Sequence, residues 1–311
     1  MAVYRALGTG MVISADSPID DKVRSAMESL IEDYEHVLSR FRNDSLIAAI
    51  GKAEHGGSFD FPDWCAPLFD LYDALFSATS GAIDPCVGED LIRLGYDASL
   101  SFTVTQDAPE HLGALRGRAV WGRDVTRHGT TLVTHEPVQL DFGACGKGYL
   151  VDLLGRMLQS SQFVIDAGGD LLIHTEQPIS VALEDPEDQS HAIGIAHIAN
   201  GALCASAPSR RHWNVAVNER TQIAIHHLLN AIDGLPAQQT EASWAYVPAN
   251  ATLNLARDYP TAVADGLATA LFVSDVAQLQ RTFDFTYATL DESRQIAVSR
   301  NFPAELFLRS A

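Results

Sequence analysis

Twelve residues constrain this chain more than any other stretch: Asp141-Phe142-Gly143-Ala144-Cys145-Gly146-Lys147-Gly148-Tyr149-Leu150-Val151-Asp152. Residues 138–140 read as a strand that runs into a loop with three glycines and one lysine. The apolar run over 151–158 predicts the helix that follows. Glycines let successive backbone N–H groups converge on one point, and a helix N-terminus adds positive potential there. Lys147 adds a full charge, so the expected guest is a phosphate or diphosphate. The spacing is neither a Walker A loop nor a GxGxxG fingerprint. Local pattern alone leaves two readings open, an anion loop or a plain strand-to-helix turn.

Charge sharpens the problem. The 311 residues carry a formal net charge of −19, with 47% hydrophobic and 20% charged side chains. That composition belongs to a folded globular chain, and its acidity excludes bulk nucleic-acid binding and attraction to anionic membranes. A polyanionic small molecule must then be met by local cations or a metal ion. The four cysteines, Cys65, Cys86, Cys145 and Cys204, lack CxxC or zinc-ligand spacing and read as buried thiols in a reducing compartment. The opening residues show no signal-peptide pattern, and no apolar run reaches about 18 residues. The expected location is cytoplasmic.

Periodicity divides the rest. A strand with a turn signal at Gly8-Thr9-Gly10 opens the chain, and helical spacing predicts a helix over 20–38. A polar loop, Ser39 to Ser45, leads into a short helix ending near Ile50. A second helix is expected over 67–79, and 103–138 reads as β-rich. Two strand halves flank the turn Ala167-Gly168-Gly169, with further strands at 180–183, 192–198 and 244–247. Leu203 to His212 reads as a small-residue bend, 226–234 as a strand end and turn, and 248–259 as an inserted loop. A helix over 262–276 and strands near 283–288 and 295–298 close the chain. No internal repeat appears, so a single compact α+β unit is expected.

The late helix carries Asp265 and Thr269, four apart and on one face, among small neighbours. A carboxylate with a hydroxyl supplies hard oxygen ligands that suit Mg²⁺ rather than zinc. An exposed aspartate near a helix start is the plainer alternative.

Read together, these segments resemble the FAD:protein FMN transferases of the ApbE family, in collinear order along nearly the whole chain. Leu7-Gly8-Thr9 resembles the family's Met-Gly-Thr opener, and Ser39-Arg40-Phe41-Arg42-Asn43-Asp44-Ser45 its Ser-x-Phe/Tyr-x-x-Asp-Ser segment. Gly81 to Gly88 resembles Gly-x-x-Asp-Pro-x-Val-Gly, and Asp141 to Asp152 the Asp-Leu-Gly-Gly-x-x-Lys-Gly-Tyr-x-x-Asp loop. Asp166 to Asp170 stands for Asn-Ala-Gly-Gly-Asp, and Ala205-Ser206-Ala207 for Thr-Ser-Gly. His227 to Gly234 stands for His-x-x-Asp-Pro-x-Thr-Gly, and Ala264 to Ala270 for the Ala-Asp-x-Leu-Ala-Thr-Ala helix. The departures are Leu7, Asp166, Ala205, Ala207, Asn230, Ala231 and Asp233; the lysine loop and the Asp/Thr helix are intact.

The resemblance implies a T-fold-related α+β domain with mixed and antiparallel sheets and flanking helices. It implies Mg²⁺ held by the Ala144 carbonyl, Asp265 and Thr269. It implies FAD met by Asp141 and Lys147, with Leu7, Phe41, Ala82, Ile83 and Asp84 lining the cleft and Arg40, Arg42 or Arg210 as further cations. The implied reaction moves FMN from FAD to a threonine hydroxyl of an acceptor flavoprotein and releases AMP. Asp265 serves this catalysis, and His227 is the candidate general base or a supporting group. Two alternatives stand beside it: an FAD pyrophosphatase releasing FMN and AMP, and a non-catalytic FAD-binding module.

Overall fold

The computed structural model describes residues 1–218 and 221–307. Its chain packs as two compact units, one built from Met1–Glu32, Ala144–Ser209 and the chain from Gln238 onward, the other from Asp33–Gly143 and Arg210–Ala237.

The expected opening strand is a hairpin. β1 (Ala2–Ala6) and β2 (Thr9–Ala15) are joined by Leu7 and Gly8 at φ 52° and 72°. Positive φ at both turn residues matches the twist of the flanking strands. α1 (Asp21–Leu38) follows where the periodicity predicts it and buries Met27, Ile31, Tyr34 and Leu38. Ser45 caps α2 (Leu46–Gly51), its Oγ accepting the Ala48 N–H at 3.1 Å. β3 (Gly57–Asp60) and α3 (Ala66–Ala78) come next, then α4 (Gly88–Arg93) and α5 (Ala108–His111).

The β-rich expectation for 103–138 is corrected. Its named strands are β4 (Val125–His128) and β5 (Thr131–Thr134), and it includes helix α5. The Thr105 N–H bonds the Arg93 carbonyl at 2.8 Å, so that segment finds its partner at the end of α4 rather than in a ladder. Residues 138–140 form no strand either. The Gln139 side chain donates to the Gly51 carbonyl at 3.0 Å and the Asp141 N–H to the Pro85 carbonyl at 2.7 Å.

α6 (Gly146–Gly155) begins at Gly146 rather than at Val151, so Lys147 is helical. β6 (Phe163–Asp166) and β7 (Asp170–Glu184) flank the Gly-Gly turn, and the strand expected at 180–183 is the far end of β7. β8 (Ala192–Ser206) absorbs the residues expected as a bend from Leu203. β9 (His212–Asn218), β10 (Thr221–His226), β11 (Leu229–Asn230), β12 (Leu235–Pro236) and β13 (Thr240–Pro248) follow. The stretch expected as an irregular insertion holds α7 (Asn254–Asp258). α8 (Pro260–Ala270) stops short of 276, and α9 (Val276–Leu279) starts afresh under an Asp275 cap. β14 (Thr286–Asp291), β15 (Ile296–Val298) and β16 (Ala304–Leu306) end the described chain.

In the first unit a nine-stranded antiparallel sheet runs β1-β2-β6-β7-β8-β13-β14-β15, with β16 also on β8. Ile173, Leu183, Ile198, Trp244, Leu290 and Ile296 pack a core on it. α8 lies on β8 and β13, and α6 lies on α8. The second unit holds the antiparallel sheet β3-β5-β4 and the β9–β10 hairpin, with a core that includes Leu91, Leu94, Tyr96, Trp213 and Ile225. Helices with antiparallel sheets make the α+β class expected. Among the described residues no helix is long and apolar enough to cross a membrane.

Candidate functional site

Two helices of the first unit approach until their backbones touch. A Cβ on Gly148 would lie 2.3 Å from the Thr261 carbonyl oxygen, so only glycine fits there. From its place on α6, Asp152 accepts the N–H groups of Thr261 at 3.1 Å and Ala262 at 2.8 Å, filling donors that the start of α8 leaves open. This packing brings Lys147 against Asp265.

The Lys147 ammonium lies 3.0 Å from Asp265 Oδ1, 3.2 Å from its Oδ2 and 3.2 Å from Asp170 Oδ2. Asp265 Oδ2 also accepts the Gly148 N–H at 3.0 Å. Both carboxylates are 1% exposed. Burial, reinforced by the charge of Asp170, pushes the Asp265 carboxyl well above its ordinary range. Burial alone would lower the Lys147 ammonium, but Asp170 and Asp265 outweigh it and hold the ammonium above its usual value. One turn along α8, Thr269 Oγ1 lies 3.4 Å from the Ala144 carbonyl and 3.5 Å from Ser206 Oγ at the end of β8.

The residues expected to hold a metal, Ala144, Asp265 and Thr269, are therefore in one unit, and Ala144 and Thr269 are in contact. Their donors are all hard oxygens, a set that suits Mg²⁺. The buried Asp170 carboxylate already faces a cation, the Lys147 ammonium 3.2 Å from its Oδ2.

The remaining nominated residues divide between the units. Leu7 sits in the β1–β2 turn of the first unit, a bulky side chain at φ 52°. In the second unit Arg40 gathers two of them. Its guanidinium lies over the Phe41 ring at 4.2 Å and the Tyr96 ring at 4.7 Å, pairs through Nε with Asp141 Oδ2, and donates through Nη1 to the Tyr96 carbonyl at 2.5 Å. Phe41 is 41% exposed, while Arg40 Nη2 is buried without a hydrogen-bond partner. Arg42 instead pairs with its neighbour Asp44 at 3.1 Å.

Ala82, Ile83 and Asp84 are buried, and their polar groups are engaged inside the unit. The Ala82 carbonyl accepts the Ala231 N–H at 3.0 Å, and the Ile83 N–H donates to Thr79 Oγ1 at 3.0 Å. Asp84 accepts the Cys86 N–H at 2.8 Å and the Trp121 N–H at 3.3 Å, beside Arg118 Nη1 at 3.4 Å. His227 Nδ1 lies 3.2 Å from the Arg211 carbonyl, which makes Nδ1 the protonated nitrogen and Nε2 the basic one in the neutral ring. Its neighbour His226 is structural: Nε2 donates to the Ala237 carbonyl at 3.0 Å, and Nδ1 accepts the Leu228 N–H at 3.3 Å.

The sequence model of the ApbE family matches residues 7–289. The chain belongs to the ApbE family. A curated FAD:protein FMN transferase of Treponema pallidum (strain Nichols) is 25% identical over 299 residues, spanning 81% of this chain and 72% of that protein. The crystal structure of the ApbE protein of Thermotoga maritima superposes with a TM-score of 0.79 at 20% identity, covering 98% of this chain and 99% of that one. Flavin transferase ApbE from Vibrio cholerae gives 0.75 at 17% identity, covering 97% of each chain. These two structures show a shared fold.

Two features of this ApbE-family chain escape sequence reasoning. Asp170 stands out there only as one of two carboxylates at a Gly-Gly turn, and nothing local pairs it with Lys147. Arg118 is one of four arginines between residues 116 and 127, yet its side chain is fully buried. It pairs with Asp90 at 2.8 Å and donates through Nη2 to the Ala231 carbonyl at 2.7 Å. The four cysteines are buried and none is in a disulfide, as expected.

Proposed function

We propose that this protein is a Mg²⁺-dependent FAD:protein FMN transferase that moves FMN from FAD to a threonine hydroxyl of an acceptor flavoprotein and releases AMP. The observation that carries this reading is the convergence of Lys147 and two buried carboxylates beside the Thr269 hydroxyl and the Ala144 carbonyl. An acidic chain that handles a diphosphate needs such a place. Asp265, Thr269 and the Ala144 carbonyl would hold the metal, which when bound would neutralise charge on the diphosphate.

The chain's own groups supply the rest. Phosphoryl transfer depends on positioning and charge neutralisation more than on covalent help. Lys147, held by Asp170 and Asp265, is the cation for the bridging phosphates, and Gly148 fixes the Asp265 carboxylate through its N–H. Asp141, Arg40, the exposed Phe41 ring and Leu7 are the further residues assigned to FAD. The segment Ala82-Ile83-Asp84 is assigned to the FAD cleft by the family resemblance, although it is buried with its polar groups engaged inside its own unit. His227, with Nε2 basic, takes the proton of the attacking threonine. The threonine oxygen forms its bond to the FMN-side phosphorus as the bond to AMP breaks. Four buried cysteines outside any disulfide are in keeping with a reducing, cytoplasmic setting.

Incubation with FAD and Mg²⁺, with and without a flavoprotein carrying an Asp/Ser-x-x-Thr-x-Ser/Ala-Thr segment, tests the reading. AMP together with covalent flavin on the acceptor supports transfer. AMP without acceptor shows a pyrophosphatase instead, and no AMP under either condition leaves a binding module.

A further inference from the structure

The Lys147 ammonium contacts both oxygens of Asp265, the edge of a carboxylate that a chelated metal ion uses. An ammonium and a divalent ion cannot share that edge without strong repulsion. Asp170 is the second carboxylate within reach of the ammonium, at 3.2 Å. It is buried at the start of β7, with the Lys147 ammonium as the cation beside it. A buried carboxylate is costly unless a cation answers it.

On the reading that Asp265 and Thr269 take Mg²⁺, we propose that Lys147 is a placeholder cation for Asp265, and that Asp170 is the positioning residue that retains it once the metal takes Asp265. Metal binding alone must then displace an ammonium from one of its two partners. A diphosphate compensates by presenting new oxygens to the displaced ammonium. Mg²⁺ and FAD therefore bind cooperatively, each tightening the other by the same factor. Substrate-free protein holds the metal weakly, and Lys147 is the cause.

The sequence makes this unusually accessible, because the chain has three lysines, Lys22, Lys52 and Lys147. Calorimetric Mg²⁺ titrations of the full chain, with and without FAD, give one readout. Lys147→Met should bind Mg²⁺ alone at least about tenfold tighter than wild type, and FAD should improve that affinity by a smaller factor than in wild type. Lys147→Arg, which keeps the charge, should not gain Mg²⁺ affinity as Lys147→Met does. Nitrogen-15 lysine spectra give the second readout. The Lys147 ammonium should stay protected from solvent exchange when wild type is saturated with Mg²⁺. In Asp170→Asn it should be protected without metal, which also reports an intact fold, and released on adding it.

Equal or weaker Mg²⁺ binding by Lys147→Met overturns the placeholder. Release of the wild-type ammonium on adding Mg²⁺ overturns the role of Asp170. Failure of the metal reading looks different: neither wild type nor Lys147→Met binds Mg²⁺, or Asp265→Ala binds it as wild type does. Either result removes the inference with it.

Discussion

Asp152 on α6 caps α8, its Oδ1 accepting the Thr261 N–H at 3.1 Å. The bond fixes the spacing of the two helices that carry Lys147 and Asp265. Burial pushes the Asp152 carboxyl up to about 7, against the pull of the Ala262 and Thr261 N–H groups. The folded-state value thus lies above the unfolded value of about 4. The folded chain then holds the proton more tightly, and this contribution is complete below about pH 4 and lost as pH rises through about 7. Urea unfolding of wild type and Asp152→Asn should therefore show wild type losing ground between those limits, on the order of a few kcal/mol. A difference that does not change with pH would mean that Asp152 is ionised throughout.

Gly148→Ala places a methyl group 2.3 Å from the Thr261 carbonyl oxygen. Backbone cannot move aside as a flexible side chain would, so the helices must separate. We expect a loss of about 1–3 kcal/mol in urea unfolding, together with weaker Mg²⁺ binding because Asp265 loses its fixed place. Wild-type stability and metal affinity in this variant would show that the helix contact does not set the site.

Arg118 is fully buried with Asp84 and Asp90. Burial lifts the Asp90 carboxyl to about 6 even beside that guanidinium. Arg118→Met leaves two carboxylates without their cation and should cost about 3–5 kcal/mol by chemical denaturation. Adding Asp84→Asn and Asp90→Asn should restore much of it. No recovery in the triple variant would mean that Arg118 acts through its bond to the Ala231 carbonyl instead.

Arg40 links Asp141 to the Phe41 and Tyr96 rings. Lysine keeps the charge but neither the planar stack nor the several donors. Arg40→Lys should weaken FAD binding about tenfold with little change in melting temperature, read by flavin fluorescence titration. Unaltered affinity would remove Arg40 from the FAD site.

What was legible in the sequence was the pattern that repeats or sits locally. α1 follows from the spacing of Met27, Ile31, Tyr34 and Leu38, and the Asp265–Thr269 pair from helical geometry. Gly143, Gly146 and Gly148 read as loop formers, which in the sequence puts Lys147 on a loop although it lies in α6. Gly148 is there for helix contact, a tertiary demand that propensity does not register. Residues 103–138 read as β-rich, yet Thr105 bonds outside any ladder. Asp170 meets Lys147, and Arg118 meets Asp90, only through the folded chain. Both pairings are long-range, and a single sequence carries no local trace of either.

Asp265 carries the central claim, and its removal is the most direct test of it. With FAD, Mg²⁺ and a threonine-bearing acceptor flavoprotein, wild type should release AMP, and Asp265→Asn should release it at least about 10²-fold more slowly. Chelating the metal from wild type should have the same effect. AMP release by Asp265→Asn at the wild-type rate would contradict the assignment of this carboxylate to the reaction.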